Sequence, residues 1–315
     1  MIKKKKNNKK SHFKVFLSDI FRDLFLASFL FMLLLVQGVV GDYINQLAYT
    51  TQVIDKTIYS SSLNPVEIRE RIIFNGDRNR KKVALTFDAD MTHEMIADLE
   101  SGNVMSYYDK PLIDILESTK TKATLFLSGL WIRKYSDETR DLSKSNLFEL
   151  ANHTYSHPGF HGECYGLNDV ESDEKMRELE LTQDLLKNIT GEDNFLFRFP
   201  GGCYSDADLE MVTRTNQTTV QWDVAGLDGF NSNPESIIRN VVENVQNGSI
   251  IVLHMNGYPN EPATAIALPL IISDLRQKGF EFVTVSELMT EKEEKVKFAE
   301  YLEVNPAHQN KLAKR

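Results

Sequence analysis

The sequence predicts an α/β fold in which a parallel sheet closes, or nearly closes, into a barrel. Seven short apolar segments alternate with helical segments between residues 83 and 285, a pattern that favours a parallel sheet covered by helices. The first segment is almost continuously apolar, as expected of a strand buried on both faces. Polar side chains follow several segments, among them Asp223 and Asp228 after the fifth, at the strand ends where β/α barrels place their chemistry. An open doubly wound sheet is the alternative, with a ligand site drawn from fewer strands.

The predicted elements follow one another regularly along this region. Short apolar and β-branched runs predict strands at residues 83–87, 123–127, 147–151, 195–199, 219–223, 249–254 and 280–285. Apolar residues at helical spacing predict helices at residues 111–118, 137–144, 173–188, 206–214, 234–246 and 264–278. Glycines at positions 191, 248 and 279 mark helix ends, because glycine favours the position that follows the last helical turn.

The first forty residues differ in character from the rest of the chain. Seven lysines form a basic head, and an almost uncharged apolar run follows at residues 24–40, which is typical of a secretory signal peptide or an uncleaved signal anchor. The lysines predict that the head stays cytoplasmic and the remainder is exported. We expect the head and its signal or anchor helix at 1–41, a stalk at 42–74, a globular domain at 75–290 and a charged tail at 291–315. An uncleaved segment makes the membrane a partner.

Charge and cysteine content exclude some classes of function. The chain has a net charge of −9, and residues 1–41 hold eight of its 36 basic residues but only two of its 45 acidic ones. The exported part is therefore more acidic still, which argues against nucleic acid as a partner. Cys164 and Cys203 are too few for a cysteine-rich zinc site. In an exported protein they form either one disulfide or a pair of buried thiols.

Two histidines and two aspartates predict a metal site. His153 and His157 are four residues apart, and on a helical turn or a strand end that curls they share one face. Asp88 and Asp90 end the first predicted strand, and a carboxylate there completes a site of two histidines and one carboxylate with open positions for water. Two further histidines near these motifs, His93 and His161, are expected to be hydrogen-bonded or solvent-facing.

Five short motifs occur in one order along the predicted barrel: Thr86-Phe87-Asp88, His153-Thr154-x-x-His157, Arg198-Phe199-Pro200-Gly201-Gly202, Trp222-Asp223 through Asp228, and Ile251-Val252-Leu253-His254. Together they resemble the motifs of the polysaccharide deacetylases, the NodB-homology group known as carbohydrate esterase family 4. The resemblance covers about residues 75–290. It implies a distorted (β/α) barrel of about seven parallel strands that holds one divalent metal ion, usually zinc, and removes acetyl groups from a polysaccharide.

Amide hydrolysis defines the roles that these residues are expected to play. It needs an activated water, an electrophile on the carbonyl oxygen and an acid for the departing amine. A metal on His153 and His157 meets the first two needs, with Asp88 as the base, and His254 from a distant strand is suited to be the acid. The resemblance further implies that Arg198 holds Asp88 ionised and that Asp228 pairs with His254 and raises its pKa.

The sequence departs from the family pattern at two motifs. Where the family has two adjacent aspartates, Ala89 takes the second place and Asp90 follows. Strand alternation puts residues 88 and 90 on one face, so Asp90 is a candidate third ligand if the chain stays extended; if it curls, water takes that position. The second departure replaces an aspartate and a tryptophan with Ala225 and Gly229. Candidates to fill the space of that tryptophan are Leu227, Phe230 and Tyr258.

These observations predict an exported enzyme that deacetylates a polysaccharide of a bacterial envelope or its surroundings. N-acetylglucosamine-type glycans, as in peptidoglycan or chitin, are the expected substrates. One alternative is an esterase for O-acetylated glycans such as xylan. The other is a glycan-binding relative without catalysis, which the two departures suggest and the retained Asp88, His153, His157, Arg198 and His254 oppose.

Overall fold

Nine short strands alternate with eight α-helices in the part of the chain that the structure, a computed structural model, describes, namely residues 72–256 and 263–290. The strands are β1 Ile72–Ile73, β2 Lys82–Ala89, β3 Ala123–Leu127, β4 Phe148–Asn152, β5 Leu196–Phe197, β6 Thr218–Val220, β7 Val224–Ala225, β8 Ile250–His254 and β9 Glu281–Phe282. The α-helices are α1 His93–Ser101, α2 Lys110–Ser118, α3 Gly129–Lys134, α4 Ser136–Lys144, α5 Ser172–Thr190, α6 Asp206–Arg214, α7 Pro234–Asn244 and α8 Ala263–Gln277. A 3₁₀ turn covers Pro200–Gly202.

All pairings between these strands are parallel. The strands lie side by side in the order β1-β6-β5-β4-β3-β2-β8-β7, and β9 pairs with the beginning of β2. The central strand β2 is buried along its length from Val83 to Ala89, because the sheet curls around one of its faces and helices cover the other. Such a strand must be apolar on both faces, which explains its sequence.

A single stretch of chain brings the two edges of the sheet together. Residues of β6 pair with β5 and β1 near one edge, whereas β7 forms the other edge against β8. Only Gln221, Trp222 and Asp223 separate β6 from β7. A chain spans at most about 3.3–3.6 Å per residue, so the edges lie within roughly 14 Å of each other. The sheet is thus strongly curled, and the carboxyl ends of its strands face one common opening.

The predicted fold class is confirmed in its main feature, a curled parallel α/β sheet. The signal or anchor helix predicted within residues 1–41, most of the stalk and the tail from residue 291 lie outside the described residues. Within 72–256 and 263–290, no helix is both long and apolar enough to cross a membrane.

Local tertiary contacts changed several predicted elements. The predicted strand at 219–223 is two short strands, because the chain crosses from one sheet edge to the other at Gln221–Asp223. The predicted strand at 280–285 is hydrogen-bonded as a strand only at β9. The sequence did not predict β1, α1 or α3. Helix α1 begins where Thr92 accepts a hydrogen bond from the Met95 N–H, a capping contact that stabilises a short helix.

We expect Gly248→Ala to destabilise the fold much more than Gly102→Ala. Both glycines have positive φ angles, +74° and +77°, which cost an alanine about 1–2 kcal/mol. At Gly248 a Cβ would also lie 2.7 Å from the Asp77 carbonyl oxygen, whereas at Gly102 nothing lies within 4 Å. The extra crowding adds about 1–3 kcal/mol. Urea unfolding of the two variants measures the difference, and equal free energies of unfolding would contradict the close packing of this turn before β8.

Candidate metal centre

A cavity of about 360 Å³ opens at the carboxyl ends of the strands. Its polar lining comes from the carboxyl ends of four different strands and the loops after them, and includes Asp88, Asp90, His153, His157, Asp228 and His254. Its apolar lining includes Trp222, Leu227 and Phe230. The curled sheet therefore gathers side chains that are far apart in sequence into one pocket.

Strand β2 presents two carboxylates to this cavity. Asp88 and Asp90 both line it, while Ala89 between them is fully buried in the core. The chain thus stays extended through Ala89, and the alternation of a strand directs residues 88 and 90 to the same side. The carboxylate that stands one place later than in the family pattern still reaches the cavity.

The two histidines lie on a tight loop after β4 rather than on a helix. Thr154 and His157 adopt left-handed backbone conformations, with φ angles of +67° and +60°, which are costly for residues other than glycine. The loop is held by side-chain hydrogen bonds: Asn152 accepts from the Thr154 N–H at 2.9 Å, and Glu178 accepts from the N–H groups of Tyr155 and Ser156, each at 2.7 Å. These contacts offset the backbone strain and fix both imidazoles.

Asp90, His153 and His157 bring three ligand atoms together. The Oδ1 atom of Asp90 lies 3.4 Å from His153 Nε2 and 3.2 Å from His157 Nε2. This oxygen is buried and has no hydrogen-bond partner. Burial disfavours the charged form of Asp90, but its electrostatic interactions with the neighbouring His157 and His153 rings lower its pKa well below the usual value. Two imidazole nitrogens around an ionised, unpartnered carboxylate oxygen fit a divalent cation.

Arg198 lies behind the cavity and contacts two of the residues that line it. Its fully buried guanidinium donates to Asp88 Oδ1 at 2.6 Å and to the Val220 carbonyl at 3.2 Å, and it stacks 4.0 Å from the centre of the Phe126 ring. Its backbone carbonyl lies 2.9 Å from His153 Nδ1. A proton on Nδ1 leaves Nε2 free to face the cavity, which is the usual way in which a metal-binding histidine is oriented.

His254 and Asp228 form a second charged pair at the cavity. Asp228 contacts His254 Nδ1 at 2.9 Å and accepts from the His254 N–H and the Thr264 hydroxyl, both at 2.7 Å. Burial of the ring opposes its protonation, but the charge and hydrogen bond of Asp228, with smaller contributions from Asp90 and Asp88, raise the pKa of His254 to about 10. The imidazole is therefore protonated at neutral pH, with 31% of its side chain exposed to the cavity.

Comparison with known proteins identifies the family. A sequence profile described as polysaccharide deacetylase matches residues 75–220. A peptidoglycan-N-acetylglucosamine deacetylase of Bacillus cereus is 31% identical over 263 residues, which cover 81% of this chain and 88% of the relative. The chain belongs to the polysaccharide deacetylase family. Peptidoglycan-N-acetylmuramic acid deacetylase PdaA of Bacillus subtilis is 26% identical, over 73% of this chain and 80% of its own length.

Solved structures of this family share the fold. The Bc1960 peptidoglycan N-acetylglucosamine deacetylase, crystallised with 4-naphthalen-1-yl-N-oxidanyl-benzamide, matches with a TM-score of 0.60 and 27% identity over 72% of this chain and 98% of its own. A pseudoenzyme of carbohydrate esterase family 4 from Bacillus anthracis has a TM-score of 0.58 and 24% identity, over 72% of this chain and 70% of its own. The prediction of a polysaccharide deacetylase is confirmed at the level of family membership.

The structure places most of the predicted site residues together. Asp88, Asp90, His153, His157, Asp228 and His254 line the cavity, and Arg198 contacts Asp88 behind it. His93 and His161 are exposed and do not line it, as expected. Asp223 was expected among the residues at the strand ends that carry chemistry, and this is wrong. It lies at the amino ends of β7 and β8, where it accepts from the Ile250 N–H at 2.8 Å and pairs with Arg78 at 2.6 Å.

Several supporting residues were not found from the sequence. Glu178 lies on the long helix α5 among many charged residues, and only its contact with the histidine loop distinguishes it. Thr264 is equally ordinary in sequence. The two glycines of the arginine motif also have a structural reason: a Cβ on Gly201 would lie 2.6 Å from Cys164 Sγ, and one on Gly202 would lie 2.6 Å from Trp222. Cys164 and Cys203 form a disulfide beside them.

Glu178→Ala should weaken divalent metal binding without unfolding the protein. Losing its hydrogen bonds frees the strained loop between His153 and His157, and removal of groups that orient metal ligands typically costs roughly 10–100-fold in affinity. Competition with a fluorescent chelator measures the affinity for Zn²⁺. Glu180→Ala is the matched control, since Glu180 is an exposed glutamate on the same helix. Equal affinities in the two variants would show that the loop does not depend on Glu178.

Proposed function

We propose that this protein is an exported, metal-dependent deacetylase that hydrolyses the N-acetyl groups of N-acetylglucosamine-type sugars in peptidoglycan. The observation that carries the proposal is the cluster of Asp90, His153 and His157, flanked by a base candidate held by Arg198 and an acid candidate held by Asp228. The names of the relatives from Bacillus cereus and Bacillus subtilis support peptidoglycan as the substrate.

The residues take complementary roles in this proposal. Asp90, His153 and His157 hold one divalent ion, with zinc favoured because two imidazoles and a carboxylate suit its tetrahedral geometry. When bound, the ion supplies a Lewis acid for the acetyl carbonyl and acidifies a water. Asp88, oriented by Arg198, accepts the proton of the attacking water. Protonated His254 donates to the nitrogen that leaves as an amine.

Two alternatives are set aside on specific grounds. An O-acetyl esterase depends less on a general acid, because an alkoxide leaves more readily than an amide anion, whereas here Asp228 raises the pKa of His254 and keeps a proton available for the leaving group. An inactive relative, such as the pseudoenzyme in the family, is disfavoured because Asp90 supplies the carboxylate that Ala89 lacks. Gly229 stands where the family pattern has a tryptophan, and this difference affects substrate binding but not the ionisable groups of the site.

Residues 1–41 are proposed to direct export, since peptidoglycan lies outside the cytoplasmic membrane. In this proposal the segment is a signal peptide or an anchor, residues 42–74 connect it to the catalytic domain at 75–290, and residues 291–315 form a charged tail. Strand β1, at Ile72–Ile73, joins the connecting segment to the sheet of the catalytic domain.

Acetate release provides the test of this function. The protein is incubated with peptidoglycan, with N-acetylglucosamine oligomers and with acetylated xylan, and its metal content is measured. We expect acetate from the first two substrates, loss of activity after chelation and recovery with Zn²⁺. Acetate from xylan alone would assign the esterase function, and no acetate from any substrate by the metal-loaded protein would assign the inactive relative.

Asp90→Ala should weaken metal binding more than Ala89→Asp changes it. Asp90 Oδ1 faces both histidines, whereas Ala89 is buried on the opposite side of β2. We expect Asp90→Ala to lower the metal affinity by more than the roughly 10–100-fold that is typical when a group supporting a metal ligand is removed. Metal content after dialysis against a weak chelator is the measurement, with His157→Ala as the positive control. Stronger metal binding in Ala89→Asp would show that the carboxylate at position 89 is the one that the site needs.

His254→Ala should retain the metal but lose about 10²–10⁴-fold in turnover of an N-acetyl substrate, the range typical of a general acid. Hydrolysis of an acetyl ester with a good leaving group should suffer less, because that group leaves without a proton. His254 is a residue outside the Asp90, His153 and His157 cluster, so metal content separates its role from ligation. Equal losses on the amide and the ester would remove His254 from the role of acid.

Asp228→Asn should shift the alkaline limb of the pH–rate profile to lower pH. The negative charge of Asp228 raises the pKa of His254, so removing it lowers that pKa. The acid form of the ring is then lost at a lower pH, and activity at pH 8–9 falls more than activity at pH 6. A profile of kcat/KM against pH for both proteins gives the result; an unchanged alkaline limb would mean that another group donates the proton.

A further inference from the structure

Two exposed aromatic rings meet at the mouth of the cavity. Tyr165 lies on the loop after the histidines and Phe230 on the loop after β7, yet their ring centres are only 5.2 Å apart, with planes inclined by 40°. Each side chain remains largely in solvent, 69% and 71% exposed. Exposed large apolar side chains that touch each other at the edge of a pocket mark a binding surface more often than isolated ones do. We call Tyr165 and Phe230 the rim pair.

The rim pair is continuous with the proposed reaction site. Both rings line the same cavity as His153, His157 and His254. Charged groups lie at its floor and the two rings at its edge, so a ligand that engages the floor extends past the rings. Leu227, which is also exposed and lines the cavity, adds an apolar surface beside them.

The backbone around Tyr165 holds its ring in place. The disulfide from the neighbouring Cys164 to Cys203 ties this loop to the segment after the 3₁₀ turn. The Tyr165 ring packs on Gly201, where an added Cβ would lie 3.1 Å from Tyr165 Cδ2. On the other loop, the Phe230 N–H donates to the Leu227 carbonyl at 3.2 Å. An exposed side chain on a tethered loop loses little conformational freedom when it binds a ligand.

Resting on the proposed function, we propose that the rim pair stacks against the sugar ring next to the one that is deacetylated. One face of a pyranose ring carries mainly C–H groups, and such a face packs well on an aromatic ring. The proposed substrate is a chain of such rings, so an acetylated sugar bound at the floor places a neighbouring sugar at the mouth. The rim pair thereby selects longer glycans and takes over part of the binding surface that the absent tryptophan leaves open at Gly229.

Chain-length dependence tests this role. The variants are Tyr165→Ala, Phe230→Ala and the double variant, assayed on the monomer and the hexamer of N-acetylglucosamine. We expect kcat/KM for the hexamer to fall on the order of tenfold through a higher KM, with kcat for the hexamer and kcat/KM for the monomer nearly unchanged. Tyr165→Phe should behave like the original protein, because the ring rather than the hydroxyl makes the contact.

Phe195→Ala is the matched control. Phe195 is exposed to a similar extent, 54%, but precedes β5 at the opposite end of the strands. Equal losses on the monomer and the hexamer would overturn the proposal, since the rings would then shape the acetyl site itself. An unchanged hexamer KM in the double variant would overturn it as well.

A binding measurement keeps this test separate from the proposed activity. Calorimetry with the hexamer of N-acetylglucosamine reports affinity whether or not acetate is released. If the protein releases no acetate yet binds the hexamer and the double variant binds it about tenfold more weakly, the rim pair is supported while the catalytic function fails. Equal hexamer affinity in the double variant and in Phe195→Ala would overturn the rim pair alone.

Discussion

The buried pair of Arg198 and Asp88 is the interaction on which the rest of the site depends. A fully buried guanidinium is costly unless its charge is paired and its N–H groups are hydrogen-bonded. Here the Arg198 side chain meets these needs and connects β2, the end of β5 and the chain after β6. Phe126 and Trp222 enclose it, and its own carbonyl orients His153. Removing the arginine would leave a buried carboxylate unpaired, a change that typically costs about 3–5 kcal/mol. Arg198 is therefore required both by the packing of the fold and by the proposed chemistry.

The histidine loop shows how the fold maintains a strained arrangement. Two residues with positive φ within four positions would not persist in an isolated peptide, because each costs about 1–3 kcal/mol. Asn152 stabilises the loop from the strand before it and Glu178 from a helix that begins about twenty residues later. The N-terminal end of α3 adds two backbone hydrogen bonds, from Gly129 and Leu130 to the loop carbonyls. The geometry of the two imidazoles therefore depends on a strand and two helices that surround the loop, not on the loop alone.

The displaced carboxylate illustrates how strand geometry tolerates a change in a motif. In an extended strand, moving an aspartate from position 89 to position 90 moves its side chain to the opposite face, which is the face that carries Asp88. Here β2 continues through Ala89, whose side chain fills the core, and Asp90 contacts both histidines. Asp88 keeps its own partner in Arg198. The same alternation that makes β2 a buried strand brings the two carboxylates to the cavity.

The sequence alone determined the class of fold and the short list of ionisable residues. Strand and helix periodicity, helix-ending glycines and five ordered motifs are local signals, so Asp88, His153, His157, Arg198, Asp228 and His254 were all identified without coordinates. Only the tertiary structure decided the position of Asp90 beside both histidines, the opposite location of Asp223, the disulfide and the contact of Tyr165 with Phe230. Each of these depends on how far a strand stays extended or on which distant loops meet. Such outcomes follow from the curl of the sheet, which no local stretch of sequence specifies.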